Sequence, residues 1–519
     1  MQIGTLIAST CVLSIGLLAA PSLAANDSTP SLPKKVTYAE HVAPVISENC
    51  TSCHRPDDIA PMALRTYEEV RPWAKSIRRA VNEGTMPPWH ADPAHGSFSN
   101  DRSLSEYEKA LINKWVKQGA ALGDATRLDS SSVVAGGWRL GEPDLVVTFE
   151  AVSLEAGGPD VFEDLKMAYE LPEDRWVKAI EVAPGDRTVL HHVIIFVLEE
   201  GQGSPTGWLG AWAAGMEPMQ FPEGTGRLLR KGSTLVADMH YHPSDVAAVD
   251  QTRIGLHFYD GEPEKEMVNL WVQNSSFKIP AGADNYEVRS SFTFKQDSTV
   301  HALLPHMHYR GKDFTYTARY PDGREEILLK VSAYDFNWQT LYKLAEPLDM
   351  PKGSKIDCVA HFDNSTKNAA NPDPTKDITF GSESFDEMMI GFVDYTVKEG
   401  LRPMTAEEQV AETLIDLAAS YPGETFDVTA KQGDFTMPTA LYLPAEGPGR
   451  WYIPMNGQVY EARLNSIEHH EDGTYTARLV APFGSFDVEG IGGFGEKTVS
   501  GSINLGDDGE LTFEGTVVE

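Results

Sequence analysis

The sequence predicts a multidomain protein that is α-helical near its N terminus and built from antiparallel β-strands over most of the remaining chain. Its 519 residues exceed what one hydrophobic core usually organises, so several domains are expected. Patterns that start helices are concentrated in the early part of the chain. The 44 Gly and 33 Pro residues favour many short strands and turns over long helices.

The predicted organisation has five parts, with a Ser-rich linker near Asp129–Val133 separating the helical part from the strands. The parts are a signal peptide (1–25), an N-terminal α-helical domain (34–125), two antiparallel β-sandwich domains of jelly-roll type (138–275 and 276–400) and a small β-rich C-terminal module (401–519).

The first 25 residues contain no charged side chain. An apolar run from Leu6 to Ala20 is followed by small residues of the kind that a signal peptidase cleaves. The prediction is therefore a periplasmic or secreted protein. A positively charged start is missing, so an uncleaved N-terminal anchor is the alternative. Nothing later approaches about 18 consecutive apolar residues, so no membrane insertion is expected after cleavage.

Acidic residues outnumber basic ones 76 to 43, giving a formal net charge of −33. Such a charge excludes nucleic acid and anionic lipid surfaces as partners. It is compatible with a small-molecule substrate and with a cationic protein partner.

Cys50-Thr51-Ser52-Cys53-His54 has the spacing of a covalent haem attachment site. Two thiols three positions apart can add to the two vinyl groups of one haem, and the adjacent His54 then reaches the iron. A zinc half-site is the alternative, but it usually needs a second cysteine pair. One haem c is therefore predicted, which makes the helical domain a cytochrome c domain. Apart from Cys11 in the apolar run, only Cys358 remains, so no internal disulfide is expected.

The sixth haem ligand is predicted to be Met86, in the stiff Pro-rich loop that follows the second helix, because a thioether there suits an electron-transfer haem. Met62 and His90 are the alternatives. The helices themselves are predicted from Thr or Ser followed three residues later by Glu. These pairs are Thr37 with Glu40, Thr66 with Glu69, and Ser103 with Glu106. Pro44 and Pro72 are expected to kink the first two helices.

Nine of the fifteen histidines fall between residues 191 and 361, in segments that alternate like strands. Residues i and i+2 share a strand face, so His306 and His308 are placed to chelate one ion, and His240 and His242 have the same spacing. His191 and His192 are neighbours, which face opposite ways on a regular strand and can share a metal only at a bulge or strand end. Imidazole suits copper, zinc or iron.

Four motifs in order resemble the copper type II ascorbate-dependent monooxygenases, whose familiar members are the peptidylglycine and dopamine hydroxylases. The motifs are His191-His192-Val193, His240-Tyr241, His306-Met307-His308 and Asp386-Glu387-Met388. The resemblance implies two β-sandwich domains facing each other across a solvent-filled cleft, each with one copper. It assigns His191, His192 and His240 to an electron-transfer copper, and His306, His308 and Met388 to an oxygen-binding copper.

Two departures limit what carries over from that family. The cysteines that form disulfides in the animal enzymes are absent. The arginine that holds a peptide carboxylate two residues before the H-x-H pair is replaced by Leu304, so a peptide C terminus is not the expected substrate.

The resulting hypothesis is a periplasmic copper-dependent monooxygenase that hydroxylates a C–H bond of a small organic substrate with O2. Electrons are expected from a periplasmic donor, either a cytochrome or a small reductant, and pass through the haem to the His191–His192–His240 copper. A tethered haem raises the donor's effective concentration. The alternatives are a non-catalytic haem and copper electron carrier or copper-binding protein, and an oxidase or reductase with the same metals.

Overall fold

The computed structural model describes residues 31–518 with several gaps. The segments left out are 57–59, 129–137, 167–170, 200–206, 214–215, 382, 421–422, 433–434, 445–447, 456–457, 471, 482–483, 493–494 and 506–508. The predicted signal peptide lies outside the described residues. Of the residues described, 47% are in strands and 12% are in helices. Within the described part, no helix combines the length and the apolar content needed to cross a membrane.

The N-terminal segment contains only short helices, packed around a small apolar core that includes Val42, Ile112 and Trp115. The helices are α1 (Ala43–Asn49), α2 (Tyr67–Val70), α3 (Ala74–Glu83) and α4 (Glu106–Lys117), with a π-helical turn at Tyr38–Val42 and 3₁₀ turns at Arg71–Trp73 and Ala125–Arg127.

The predicted fold class is wrong, because the chain is mainly β and has no sizeable α-helical cytochrome c domain at its N terminus. The physical reason is interruption of the helices. The Thr66–Glu69 capping box forms, but Pro72 has no N–H to donate and α2 passes into a 3₁₀ turn after four residues. The third start lies two residues later than predicted, at a capping box between Ser105 and Glu108.

Twelve strands form the first two-sheet unit. They are β1 (Leu145–Thr148), β2 (Val152–Leu154), β3 (Val161–Lys166), β4 (Arg175–Ala183), β5 (Leu190–Leu198), β6 (Gly207–Ala213), β7 (Met219–Gln220), β8 (Thr225–Leu229), β9 (Thr234–Tyr241), β10 (Ala248–Asp250), β11 (Arg253–Phe258) and β12 (Lys265–Glu266). One main sheet has the order β1-β11-β4-β8-β12 with β7 beside β4, the other has the order β3-β9-β5-β6, and β2 and β10 form a separate two-stranded pair. Ile180 and Leu256 of the first sheet and Val193 and Ile195 of the second belong to one buried core.

Ten strands form the second two-sheet unit. They are β13 (Val268–Gln273), β14 (Lys278–Ile279), β15 (Tyr286–Thr293), β16 (Ser298–His306), β17 (Gly311–Arg319), β18 (Glu325–Val331), β19 (Tyr342–Met350), β20 (Lys355–Phe362), β21 (Ile378–Thr379) and β22 (Ile390–Val397). The two main sheets have the orders β13-β22-β16-β19 and β15-β20-β17-β18. β20 buries every second residue, as an antiparallel strand with one face on a core does, and Cys358 lies on that buried face.

The tail is a helix followed by a closed barrel. The helix is α5 (Ala406–Ser420), and the strands are β23 (Gly423–Gln432), β24 (Phe435–Pro444), β25 (Gly449–Met455), β26 (Gln458–His469), β27 (Thr474–Ala481), β28 (Gly484–Gly492), β29 (Thr498–Asn504) and β30 (Glu510–Val517). Each strand pairs with the next and β30 returns to β23, which leaves no open sheet edge. The expected small β-rich module is therefore a complete eight-stranded barrel.

The two two-sheet units are held together by a buried ion pair. Arg227 of β8 donates from Nη2 to Asp394 Oδ1 of β22 at 2.7 Å, and both side chains are only 5% exposed. Arg227 also donates to the carbonyls of Trp208 and Leu209, and Asn269 donates to the same carboxylate oxygen. The strands that carry the two groups of histidines are therefore fixed relative to each other.

An extended segment between α3 and α4 joins the N-terminal helices to the second unit. Phe98 forms an antiparallel bridge with Leu344, and its ring contacts Trp89 and Tyr342 at centroid distances of 5.9 and 5.3 Å. Asn100 donates to the Leu341 carbonyl at 2.7 Å. This attachment places the Cys50–His54 segment on the side of the β-units that carries Leu341.

Candidate metal centre

His191, His192 and His240 come together at the start of β5 and the end of β9. The two strands pair antiparallel with His192 opposite His240, and the register shifts between Leu190 and His192. At this irregularity the adjacent imidazoles of His191 and His192 turn toward one point. Neighbouring residues on a regular strand would face opposite ways, so a bulge or strand end was needed for them to meet. One ligand atom from each of the three residues lies within 4.8 Å of those from the other two.

The three imidazoles present their Nδ1 atoms to one another. His191 Nδ1 lies 3.1 Å from His192 Nδ1, and His240 Nδ1 lies 3.4 Å from the same atom. Nitrogens bound at about 2.0 Å to one ion in a tetrahedral or trigonal arrangement lie about 3.3–3.5 Å apart. The two distances from His192 Nδ1 therefore fit ligands of a single metal ion, and the His191–His240 separation is within 4.8 Å.

The protonation states also suit metal binding. Burial lowers the pKa of His191 to about 4 and that of His192 well below its usual value, with further lowering by neighbouring histidines. Both rings are therefore neutral near pH 7, and a neutral imidazole keeps a nitrogen lone pair for a metal.

Asp160 orients His240 from the side away from the cluster. His240 donates from Nε2 to Asp160 Oδ2 at 2.9 Å, which leaves Nδ1 as the free lone pair. His242 and Tyr309 also donate to this carboxylate, at 2.8 and 2.9 Å. Burial opposes ionisation of Asp160, but these hydrogen bonds outweigh it and lower the pKa of the carboxyl.

His306 and His308 form a second pair at the end of β16. Their ring centroids lie 5.2 Å apart, with the ring planes at 88°. His306 donates from Nδ1 to Gln339 Oε1 at 2.7 Å, and His308 Nδ1 faces the Asp386 carbonyl at 3.4 Å. Both residues therefore offer Nε2, the nitrogen opposite to the one used by the first cluster. Burial lowers the pKa of His308 to about 3, so its ring is neutral as well.

Met388 lines the same cavity as this pair. Its neighbour Met389 is fully buried in the core of the second unit, so of the two methionines only Met388 faces the cavity. The Glu387 carboxylate accepts from the backbone N–H groups of His308 and Arg310, at 2.9 and 2.6 Å. These bonds fix the 386–388 turn against the H-x-H segment.

One cavity of about 300 Å³ contains ligand residues of both groups. It is lined by His192 of the first group and by His306, His308 and Met388 of the second. Its remaining walls are mainly aromatic and aliphatic, and carboxylates lie along part of its border. The aromatic side chains lining it are Phe162, Phe196, Trp271, Phe336 and Phe392, and the carboxylates are Glu163, Asp164, Asp238 and Glu383.

The remaining histidines stay outside these groups. His242 shares Asp160 with His240, but its side chain is 75% exposed. His301 faces Thr396. His469 is exposed at the end of β26.

Leu304 stands at the position where the peptide-processing enzymes of the resembled family have a carboxylate-binding arginine. It is buried near His192 and His306. Arg310 is buried as well. Its guanidinium binds the Phe385 carbonyl and the Asn364 side chain, so it stabilises loops instead of facing a substrate.

The Cys50–His54 segment forms a tight turn after α1. His54 donates its backbone N–H to the Cys50 carbonyl at 3.0 Å, and its Nδ1 donates to the Met62 carbonyl at 3.0 Å. His54 Nε2 is therefore the nitrogen left for an iron, and burial lowers the pKa of the ring. The arrangement fits an axial haem ligand whose other nitrogen is fixed by a carbonyl.

The three candidates for the sixth haem ligand separate in space. Met62 packs against the N-terminal core together with Cys50. Met86 is half-buried just after α3, which ends at Gly84. His90 belongs to the extended segment that packs on the second unit. There the Asp335 carboxylate is close enough to influence the pKa of its ring.

Asp160, Gln339 and Phe336 were not identified from the sequence. Asp160 precedes His240 by 80 positions, and Gln339 follows His306 by 33. No local spacing or motif links such pairs. The only available signal was chemical, since ligating histidines generally need an acceptor for their second ring nitrogen.

Comparisons with known proteins leave the chain without an established family. No family model matches it, and no curated protein matches it. Among the solved structures that match are the structure of infectious bursal disease virus Gx strain and the crystal structure of the infectious bursal disease virus VP2 subviral particle. Both are 10% identical to this chain with a TM-score of 0.16, and the matches cover 50% of this chain and 74% and 72% of those chains. A TM-score this low carries no argument about fold or function.

Proposed function

We propose that this protein is a periplasmic copper-dependent monooxygenase that hydroxylates a C–H bond of a small organic substrate and receives electrons through a covalently bound haem c. The observation that carries the proposal is the complementary orientation of the two histidine groups on one cavity. Three histidines present Nδ1, with Asp160 behind His240, and two present Nε2, with Gln339 behind His306 and the Asp386 carbonyl behind His308.

The two groups differ in the chemistry of their donors. His191, His192 and His240 make an all-nitrogen site, which accommodates copper in both oxidation states and suits storage of one electron. His306 and His308 with the thioether of Met388 make a softer site, which favours Cu(I), the state that meets O2. Copper bound at these two sites supplies one-electron redox chemistry and oxygen activation.

The protein residues prepare the cavity for this reaction. Asp160, Gln339 and the Asp386 carbonyl hold the ring nitrogens in place, and the aromatic walls exclude water from the reacting bond. One oxygen atom enters the C–H bond and the other leaves as water, which consumes two electrons and two protons. Leu304 offers no charge to a carboxylate, so the substrate class is not a peptide C terminus.

The proposed electron path is supported by one residue, Met216, that lines two neighbouring cavities. Ser52, inside the Cys50–His54 motif, lines a cavity of about 230 Å³ together with Met216 and Leu341. Met216 also lines a narrow adjoining space with His192. His306 lines that space as well, so Met216 lies between the haem attachment segment and residues of both histidine groups, a position that would suit an electron path from a bound haem to copper.

The test is metal and haem analysis of the exported protein, followed by turnover under ¹⁸O₂. The proposal expects one covalent haem, two coppers per chain, and ¹⁸O in the product. Met388→Ala is expected to abolish product formation, whereas the exposed neighbour His242→Gln serves as the matched control. Copper binding without ¹⁸O incorporation into any C–H substrate would instead indicate a non-catalytic electron carrier. If haem stays reduced while product forms, the proposed electron relay is wrong.

A further inference from the structure

A narrow space adjoins the wide cavity of about 300 Å³ and is bordered by four residues of β6. It touches His192 and His306, so it reaches one residue of each histidine group. The centre of a water-sized molecule can occupy about 20 Å³ of this space. One water needs about 10–15 Å³ by the same measure, so the space accommodates a single small molecule.

The walls of the narrow space are mainly apolar. Nine of the twelve described residues that line it have aliphatic, aromatic or thioether side chains, Trp212 and Leu304 among them, and the other three are His192, His306 and Gln339. Gln339 Oε1 accepts from His306 Nδ1 at 2.7 Å, and Gln339 Nε2 donates to a carbonyl of its own loop at 3.4 Å. A buried water makes about three hydrogen bonds, whereas a dry apolar cavity accepts an apolar guest such as xenon. The space therefore suits an apolar molecule better than water.

The narrow space and the wide cavity meet at the histidines but extend in different directions. Four residues line both, including His192 and His306. Met388 lines the wide cavity but not the narrow space, and for Trp212 and Met216 the reverse holds. A substrate in the wide cavity therefore leaves the narrow space open to a second, smaller molecule.

Met216 gives the narrow space an outer end. Its side chain is partly buried and also lines the cavity of about 230 Å³ beside Ser52. A methionine side chain is unbranched and has three rotatable bonds, so it moves aside more easily than a branched or aromatic one. A small molecule that enters past Met216 reaches His306 without crossing the wide cavity.

We infer that the narrow space is a binding pocket for dioxygen, which it holds next to His306 while a substrate occupies the wide cavity. The inference rests on the proposed function, since it takes His306, His308 and Met388 as the oxygen-binding site. Dioxygen is apolar and consists of two atoms, so it matches the pocket in polarity and in size. The protein then has a gas site that is distinct from its substrate site.

Xenon tests the pocket directly in crystals of the full chain, with or without copper. Wild-type crystals pressurised with xenon should show a xenon atom in the narrow space. Ala211→Leu adds an isopropyl group to the wall of this space and should abolish that peak. The matched control is Ala247→Leu, which adds the same group at an exposed position of the first unit and should leave xenon bound.

Carbon monoxide tests whether the pocket serves the metal, because it is a diatomic gas like dioxygen and binds Cu(I). Its C–O stretching frequency distinguishes copper from haem iron. After flash photolysis of the reduced, copper-loaded protein, carbon monoxide held in the pocket should rebind to copper in a rapid phase that does not depend on its concentration. In Ala211→Leu this phase should fall about tenfold, because a misfit of one methylene in an apolar pocket is worth about 10-fold or more. It should be unchanged in Ala247→Leu.

Each outcome separates this inference from the proposed function. Absence of xenon from the narrow space of the wild type would overturn the inference alone. Bound xenon together with an unchanged rapid phase in Ala211→Leu would also overturn it. Absence of any copper–carbon monoxide band in the wild type would overturn the oxygen site of the proposed function, and the inference with it. If Ala211→Leu does not fold by circular dichroism, Ala211→Val replaces it with the same expectation.

Discussion

Replacing Asp160 by alanine removes the group that fixes the Nδ1-metallating tautomer of His240. The carboxylate accepts from His240 at 2.9 Å, and the His240 side chain is only 1% exposed, so water cannot readily take its place. Loss of a carboxylate behind a ligating histidine costs about 10–100-fold in metal affinity. Because this carboxylate also accepts from Tyr309, we expect the upper half of that range, about 30–100-fold or about 2–2.7 kcal/mol.

The assay is a Cu(I) titration against a chromophoric chelator, which resolves the two sites as two binding steps. Only the first histidine group should weaken, because His306 donates to Gln339 Oε1 and His308 faces the Asp386 carbonyl, so neither depends on Asp160. The matched control is His242→Ala, which removes an exposed partner of the same carboxylate and should leave both steps nearly unchanged. If Asp160→Ala weakened both copper-binding steps equally, or weakened neither of them, the reasoning would be refuted.

Three further predictions concern the second site, the inter-unit contact and the haem. Met388→Ala should remove the sulfur signal from copper X-ray absorption while leaving the first site loaded; an unchanged spectrum would contradict the assignment. Asp394→Asn leaves the Arg227 charge buried without its counter-ion and should lower the free energy of unfolding by about 3–5 kcal/mol in a denaturant titration. A loss under about 1 kcal/mol would show that the pair is not a structural link. Cys53→Ala should abolish full two-bond haem attachment, measured by pyridine haemochrome spectra and mass spectrometry, whereas Cys358→Ala should leave it intact because Cys358 is buried in the second unit. Unchanged haem attachment in the Cys53→Ala variant would show that the Cys50–His54 motif is not the attachment site.

Local patterns were reliable where the signal and the structure involve neighbouring residues. The turn at Pro321-Asp322-Gly323 predicts a hairpin, and β17 pairs with β18 across it with Gly323 at a φ of 89°. The Thr66 capping box also forms as predicted. Each of these depends on atoms only a few positions apart, so the sequence contains the whole cause.

The predicted fold class failed where a local signal had to extend over distance. A capping box determines where a helix begins but not how far it continues, and α2 continues for only four residues. The spacing of His240 and His242 likewise allows a shared metal only if both residues lie on one continuous strand. However, β9 ends at Tyr241, and His242 turns outward. Strand spacing predicts a common face only while the strand persists.

The sequence by itself determined which residues are candidates for the chemistry: the Cys50–His54 motif, the histidine pairs and Met388, whose imidazoles and thioether are ligands that suit soft metals. Only the tertiary structure decided which of them meet. The bulge at His191, the carboxylate of Asp160 and the amide of Gln339 complete the two groups from positions far apart in the chain. Such contacts arise from the packing of sheets and loops, a property of the whole fold that leaves no periodicity or motif in the local sequence.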